Sequence, residues 1–426
     1  MEDRFPDPFF LNGDAMRRRV VVTGLGVVTP IGNNKEDFWA SLVKGKSGIG
    51  PLTSFDCSAY DSRIAGEVKD FTPHPFIPKK ELRRMEKFVQ FAVNAAKEAV
   101  DDSGIDISKE DPFRVGVLVG SGIGSLGIIE EQHKVVLEKG PSRLTPFLIP
   151  MLIVNMASGH ISILFSIKGP NSCTTTACAS GSQAIGDAFR MIQYGDADMM
   201  ITGGTESCVT TLGIGGFCAL KALSTRNDAP ERASRPFDRE RDGFVMAEGS
   251  GIVVLEEYEH AKKRNARIYG ELVGYGMTGD GYHMTAPDPS GESAARCMVN
   301  AMKDAGVKPE EVTYINAHGT STALNDKVET LAIKKALGER AKKVAVSSTK
   351  SMTGHLLGAA GGVEFAVCCL SIEKGVIHPT MNYENPDPDC DLDYVPNEAR
   401  DAKVNVCLSN SLGFGGHNAT LCVRKL

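Results

Sequence analysis

RVVVTGLGVV (residues 19–28) is a short run of β-branched and small residues and reads as a strand. RVGVLVGSG (114–122), ADMMITGG (197–204) and GIVVLEEY (251–258) repeat the pattern. Between them lie Ala-rich stretches of helical character, VQFAVNAAKEAV (89–100) and QAIGDAFRMIQYG (183–195). Strands alternating with helices predict an α/β protein. The remainder returns to the theme with strand-like YGELVGYGM (269–277), VTYINAHG (312–319), KVAVSSTK (343–350), KVNVCLSN (403–410) and ATLCVRK (419–425). Two halves of similar design are therefore expected.

The chain has 426 residues, 42% of them hydrophobic, enough to bury a large core in two or three domains or in one large duplicated one. A net charge of −6 argues against a general nucleic-acid binder, which accumulates Lys and Arg to meet phosphates. Eleven cysteines make an odd total, spread from Cys57 to Cys422 without CxxC spacing. That suits a reducing compartment better than a disulfide framework or a zinc site, so no metal is expected. No apolar run approaches bilayer-spanning length, the longest being the Pro-interrupted stretch from Phe147 to Met156. Residues 1–15, MEDRFPDPFFLNGDA, carry acids where a secretory signal carries basic residues, and read as a leader, tag remnant or trimmed targeting end, with Met16 as a native start. The expected location is the cytoplasm, or an organelle matrix in a eukaryote, with no secretion and no membrane insertion.

Context singles out one cysteine. Cys178 follows Thr174, Thr175, Thr176 and Ala177 and opens the small-residue stretch ACASGSQAIGDAF (177–189). That places the thiol at a helix N-terminus, where the macrodipole is expected to favour thiolate. Ala179, Ser180 and Gly181 leave room for a bulky thioester, and the amide of Cys178 is a candidate oxyanion donor. A second small-residue helix, GHLLGAAGGVEFAV (354–367), begins at His355, which the helix terminus is expected to keep neutral, just after Lys350 at a strand end. His318 lies in NAHGTST (316–322), a strand end turning into a loop, where α/β sites form. The loop NSLGFGGHN (410–418) sets Phe414 between Gly413 and the pair Gly415-Gly416, which suits a side chain that swings or an amide that is approached closely.

Two lookalikes are set aside. Gly122, Gly124 and Gly127 fit GxGxxG after a strand, but the position about 20 residues on is Phe147 and not an acid for ribose. Gly45-Lys46-Ser47 resembles the end of a phosphate loop, yet the required first glycine is Ala40.

Taken together, TACAS around Cys178, ALSTRND (222–228), SRPFDRERDGFVMAEG (234–249), YHMTAPDP (282–289), NAHGTST, SSTKSMTGHLLGAAGG and GFGGHN closely resemble the β-ketoacyl-[acyl-carrier-protein] synthases of fatty-acid synthesis, most of all the type II enzymes. The match runs from about Arg18 to Lys425. The resemblance implies a thiolase fold, two βαβαβαβ halves forming a five-layer αβαβα sandwich, usually as a homodimer. Residues 18–268 would form the N-terminal half with Cys178 and 269–426 the C-terminal half with His318 and His355, after a leader or tag-like segment, 1–17.

The resemblance makes Cys178 the acylated nucleophile and His318 with His355 the pair serving decarboxylation. Lys350 becomes a supporting charge, paired with Glu364, and Phe414 a gating aromatic whose amide completes the oxyanion hole. Thr320 and Thr322 would contact the pantetheine arm, with Thr285 and Gly415 as further substrate contacts. Acyl and malonyl carrier proteins are the implied partners. No cofactor is implied beyond the phosphopantetheine that the substrates carry. Lys80, Arg83, Arg84, Arg143 and Lys221 fit the positions where the family presents a basic patch to an acidic carrier. One departure is Leu412, where the family loop often reads NSFGFGG; a change of pocket shape or loop mobility near the acyl entrance is expected. A ketosynthase of a discrete polyketide synthase, a cysteine hydrolase and a silent acyl-binding module are the competing readings.

Overall fold

A computed structural model describes residues 17–426, so the leader-like segment up to and including Met16 lies outside the described residues. Each apolar run identified above is a strand. With the two-residue strand Asn171–Ser172 they make ten, the first five being β1 (Val20–Val28), β2 (Val115–Gly120), β3 (Asn171–Ser172), β4 (Met199–Glu206) and β5 (Gly249–Glu257). The second five are β6 (Gly270–Gly279), β7 (Tyr314–Asn316), β8 (Ala345–Ser347), β9 (Val406–Gly413) and β10 (His417–Arg424).

The strands lie in the order β3-β2-β4-β5-β1 and then β6-β10-β9-β7-β8. Counted from either outer edge, both halves place their own strands third, second, fourth, fifth, first. In both, the fifth strand is antiparallel to its neighbours, while the second pairs in parallel with the third and fourth. The sheets join where β1 meets β6 antiparallel at Val20↔Leu272, Val21↔Glu271 and Val22↔Gly270.

Strand side chains alternate between two cores, because successive residues of a strand point to opposite faces. Val115, Val117, Val119, Met199, Ile201, Ile252 and Val254 point outward from the first sheet to α1 (Lys87–Ser103) and α2 (Met156–Phe165). Leu118, Met200, Val253 and Leu255 point inward to α3 (Ser180–Tyr194). The second sheet covers its outer face with α4 (Glu292–Ala305) and α5 (Ala323–Leu337), packing Met298, Met302 and Ile333 on Ile315, Val346 and Leu408. Its inner face, with Cys407, Leu421 and Val423, shares the central core with α3 and with α6 (Ala360–Lys374). Helix, sheet, helix, sheet, helix: these are the five layers of the thiolase arrangement.

Three local expectations are corrected. NSLGFGGHN is a hairpin, β9 and β10 joined across Phe414, Gly415 and Gly416, because both flanking segments continue the sheet. Lys350 does not end a strand; β8 stops at Ser347, and Lys350 opens the short helix Lys350–Thr353. His355 does not start a helix, since α6 begins only at Ala360. Strand β3, two residues long, carries no periodicity to read.

The small residues of the two central helices are used for close approach. A Cβ on Gly362 of α6 would stand 2.1 Å from the carbonyl oxygen of Gly251 on β5, and one on Gly181 of α3 would stand 2.9 Å from that of Gly358. Both obstacles are backbone and cannot rotate aside. Gly362→Ala should therefore destabilise the protein by about 3 kcal/mol or more, at the upper end of overpacking costs. A denaturant midpoint equal to that of the parent protein would contradict this packing.

Candidate active site

The nucleophile candidate is presented by strained backbone. Ala177 has φ of 50°, a left-handed value that a non-glycine residue reaches only at a cost, and it starts a 3-10 turn, Ala177–Ala179, that runs into α3. Ser180 secures the turn by accepting the Thr176 N–H at 2.9 Å and donating to the carbonyl of Ala177 at 2.6 Å. The second half repeats the device: Leu357 has φ of 50°, the 3-10 turn Leu357–Ala359 follows, and α6 continues from it. Gly358 occupies the place that Cys178 holds in the first half.

Residues far apart in the chain converge here. The sulfur of Cys178 and ring nitrogens of His318 and His355 all lie within 4.8 Å of one another. The two imidazoles stand edge to face, with centroids 5.3 Å apart. His355 is pinned through its backbone to the other half, its N–H donating to Val245 at 2.7 Å and its carbonyl accepting from Ala247 at 2.9 Å. The His318 loop is pinned by Glu329 on α5, whose carboxylate accepts the N–H groups of His318 and Gly319, each at 2.8 Å.

Both imidazoles have a fixed tautomer. Nδ1 of His355 accepts the Leu357 N–H at 3.2 Å, and Nδ1 of His318 faces the Lys350 ammonium at 3.4 Å. Neither partner can accept, so each neutral ring carries its proton on Nε2. Burial, reinforced by Lys350, holds both imidazoles well below their usual range, with His355 further depressing His318. The neutral state expected for His355 is thus present, but burial and a neighbouring cation produce it instead of a helix terminus. Cysteine and two histidines are a donor set that metals favour, yet the Nε2 atoms offer protons and no lone pair.

The thiolate expectation is also corrected. Burial pushes the Cys178 thiol up to about 12, opposed by Lys350 and by the backbone N–H of Phe414, which points at the sulfur. A helix terminus stabilises an anion by roughly 1 kcal/mol, and the loss of water around a thiolate costs more than that. Lys350 is itself fully buried and forms an ion pair with Glu364. Burial raises the Glu364 carboxyl, and Lys350 opposes the rise.

Cys178, His318 and His355 open on a cavity of about 370 Å³. Its walls include Phe217, Phe244, Phe414, Leu412, Thr285, Thr320 and Thr322, and Lys221 stands at its rim. The Thr320 and Thr322 hydroxyls are 2.9 Å apart. Phe414 is half-buried, its ring 6.2 Å from that of Phe217. Gly415 stands outside the wall, exposed, with its N–H donated to the carbonyl of Met284 at 2.8 Å. Of the other basic candidates, Lys80, Arg83 and Arg143 are exposed. Arg84 is half-buried over the Phe147 ring, and Lys221 pairs with Asp61 at 2.7 Å.

Sequence reasoning missed Glu206 and Glu329. Glu206, fully buried at the end of β4, accepts the amides of Gly122, Ile123, Gly124 and Gly358 and the Ser121 hydroxyl. Its carboxylate sits where the GxGxxG lookalike would have received a phosphate. The available signal was an acid ending an otherwise apolar strand, ADMMITGGTE (197–206).

Comparison with known proteins agrees with this geometry. The family description "Beta-ketoacyl synthase, N-terminal domain" matches residues 17–261, and "Beta-ketoacyl synthase, C-terminal domain" matches 269–384. The chain is 57% identical over 409 residues to 3-oxoacyl-[acyl-carrier-protein] synthase 2 of Synechocystis sp., covering 96% of this chain and 98% of that one. It is 55% identical over 410 residues to the enzyme of the same name from Coxiella burnetii, covering 96% and 99%. Among solved structures, the ketosynthase of a type II polyketide synthase, in complex with its acyl-carrier protein, superposes with a TM-score of 0.90 at 41% identity, covering 96% of this chain and all of that one. With both domains matched and relatives above half identity along nearly the whole chain, this protein belongs to the β-ketoacyl synthase family.

Proposed function

We propose that the protein is a β-ketoacyl-[acyl-carrier-protein] synthase that elongates fatty acids by two carbons through decarboxylative Claisen condensation. One observation carries the reading: a buried cysteine thiol shares one cavity with two neutral imidazoles, both offering Nε2–H. In the first half-reaction the Cys178 sulfur attacks the thioester of an acyl carrier protein. The new S–C bond replaces the bond to the pantetheine sulfur, which leaves with the thiol proton. The amides of Cys178 and Phe414 receive the developing oxyanion, each such donor worth about 3 kcal/mol.

Malonyl carrier protein then enters. Loss of carbon dioxide leaves an enolate whose oxygen accepts both Nε2–H groups, and its carbon attacks the acyl-Cys178 carbonyl. The cysteine leaves as thiolate, stabilised by Lys350 and the Phe414 N–H, and regains a proton from water. A hydrolase would need an imidazole lone pair facing the cleft to serve as general base, and the fixed tautomers withhold it. The polyketide reading shares this chemistry, but the fatty-acid relatives are more similar in sequence than the polyketide ketosynthase.

Thr320, Thr322 and Thr285 are assigned to the pantetheine arm, and exposed Lys80, Arg83 and Arg143, with Arg84 and the rim residue Lys221, to the acidic carrier. A homodimer is supported by the open edge of β3, beside which Phe113 and Ile163 are 63% and 69% exposed. The eleven unpaired cysteines suit the reducing interior of a cytoplasm or organelle matrix. The substrates bring their own prosthetic arm, and the reaction as written needs no further cofactor.

Cys178→Ala should abolish both condensation and acyl loading, read by mass spectrometry after incubation with acyl carrier protein. His318→Ala and His355→Ala should still load acyl groups and lose malonyl decarboxylation by at least about 100-fold; normal condensation in either variant would overturn the donor assignment. Arg83→Glu should weaken carrier binding, and rising salt should weaken it in the parent protein; salt-independent affinity would rule out the docking patch. Iodoacetamide inactivation of the resting protein should keep accelerating with pH through 9, since the thiol is held near 12 and the charged form is disfavoured below that. A plateau near neutrality would show a stabilised thiolate instead.

A further inference from the structure

In the motif SRPFDRERDGFVMAEG (234–249), Phe244 walls the cavity and Val245 and Ala247 hold His355, while the polar groups from Arg235 to Gly243 converge on one turn of the opposite half. At the centre of that turn is Ser321, fully buried, with φ of 68°. A serine holds left-handed backbone only where its surroundings enforce it. Two amides of the motif do so: Arg235 donates its N–H to Ser321 Oγ at 2.9 Å, and Gly243 donates its N–H to the Ser321 carbonyl at 3.1 Å.

Arg241 completes the clasp. Its Nε donates to the carbonyl of Thr322 and its Nη2 to that of Ala323, both at 3.1 Å. The guanidinium is anchored in turn, with Nη1 donating to the Asp238 carbonyl at 2.7 Å and to Asp387 at 2.6 Å, while Asp326 stands 3.7 Å from Nε. The inverted residue brings the flanking Thr320 and Thr322 hydroxyls together on the cavity wall.

We infer that Arg241, with the Arg235 and Gly243 amides, is a positioning device that holds the Thr320–Thr322 pair where it grips the pantetheine arm. Affinity for the arm then depends on a residue of the N-terminal half that makes and breaks no bond. The inference rests on the reading of those threonines given above.

The test compares malonyl carrier protein with malonyl S-ethyl thioester, which lacks the arm, as extender for the full-length protein. Arg241→Met should raise KM for malonyl carrier protein roughly tenfold, the effect of removing one hydrogen bond to the arm. Its kcat should change by less than about threefold, the pattern of weakened uniform binding, with kcat/KM for the armless thioester unchanged. Arg241→Lys should recover part of the affinity. An unchanged KM, or equal losses on both substrates, would overturn the inference.

Removing the guanidinium also strips Asp326 and Asp387 of their partner, so Ser321→Gly serves as a second variant. It keeps the left-handed backbone without strain and deletes the hydroxyl that Arg235 holds. The same split, at an unchanged melting temperature, supports the inference, and wild-type KM refutes it. Parent protein inactive on both malonyl substrates would instead overturn the condensation reading, and this inference with it.

Discussion

The two central helices meet backbone to backbone, and the cleft exists because of that approach. Gly181 and Gly361 let α3 and α6 come close enough to lock the turns at their starts, with the Gly358 carbonyl against Gly181 and the Ser182 backbone against Gly361. Glu206 ties the Gly358 turn to the loop of Ser121 to Gly124. A side chain at any of these contacts would push apart the turn that carries Cys178 and the segment that carries His355. Duplication of the half places the helices; absence of side chains lets them touch.

Once the cleft is closed, desolvation governs its chemistry. The thiol and both imidazoles are driven toward their uncharged forms. Lys350 adds a field that disfavours imidazolium and favours thiolate, and its partner Glu364 opposes it at the sulfur. Lys350 and the Leu357 amide also take the Nδ1 positions, leaving two N–H donors directed at the cavity. The site is therefore suited to receiving negative charge that develops during reaction, on an oxyanion or an enolate, and unsuited to storing charge beforehand.

Much of this was legible. The apolar runs were strands, the Gly- and Ala-rich stretches were the helices that approach other backbones, and Cys178, His318 and His355 do gather round one cavity. Less legible was whatever depended on distant partners. β3 is two residues held by β2 and has no pattern of its own. The segment around Phe414 looked like a loop because its glycines hide the sheet pairing on either side. Glu206 and Glu329 gave little sign of burial, since their partners are backbone amides, which leave no mark in a sequence.

By itself the sequence determined the strands, the two similar halves and the candidate cysteine and histidines, because these follow from local periodicity and residue chemistry, while the five-layer arrangement was implied by the family resemblance. Only the tertiary structure decided their protonation, tautomers and distances. Those depend on how much water the fold removes, which takes elements from both ends of the chain, and on which donors the fold turns toward each ring, Leu357 for His355 and Lys350 for His318.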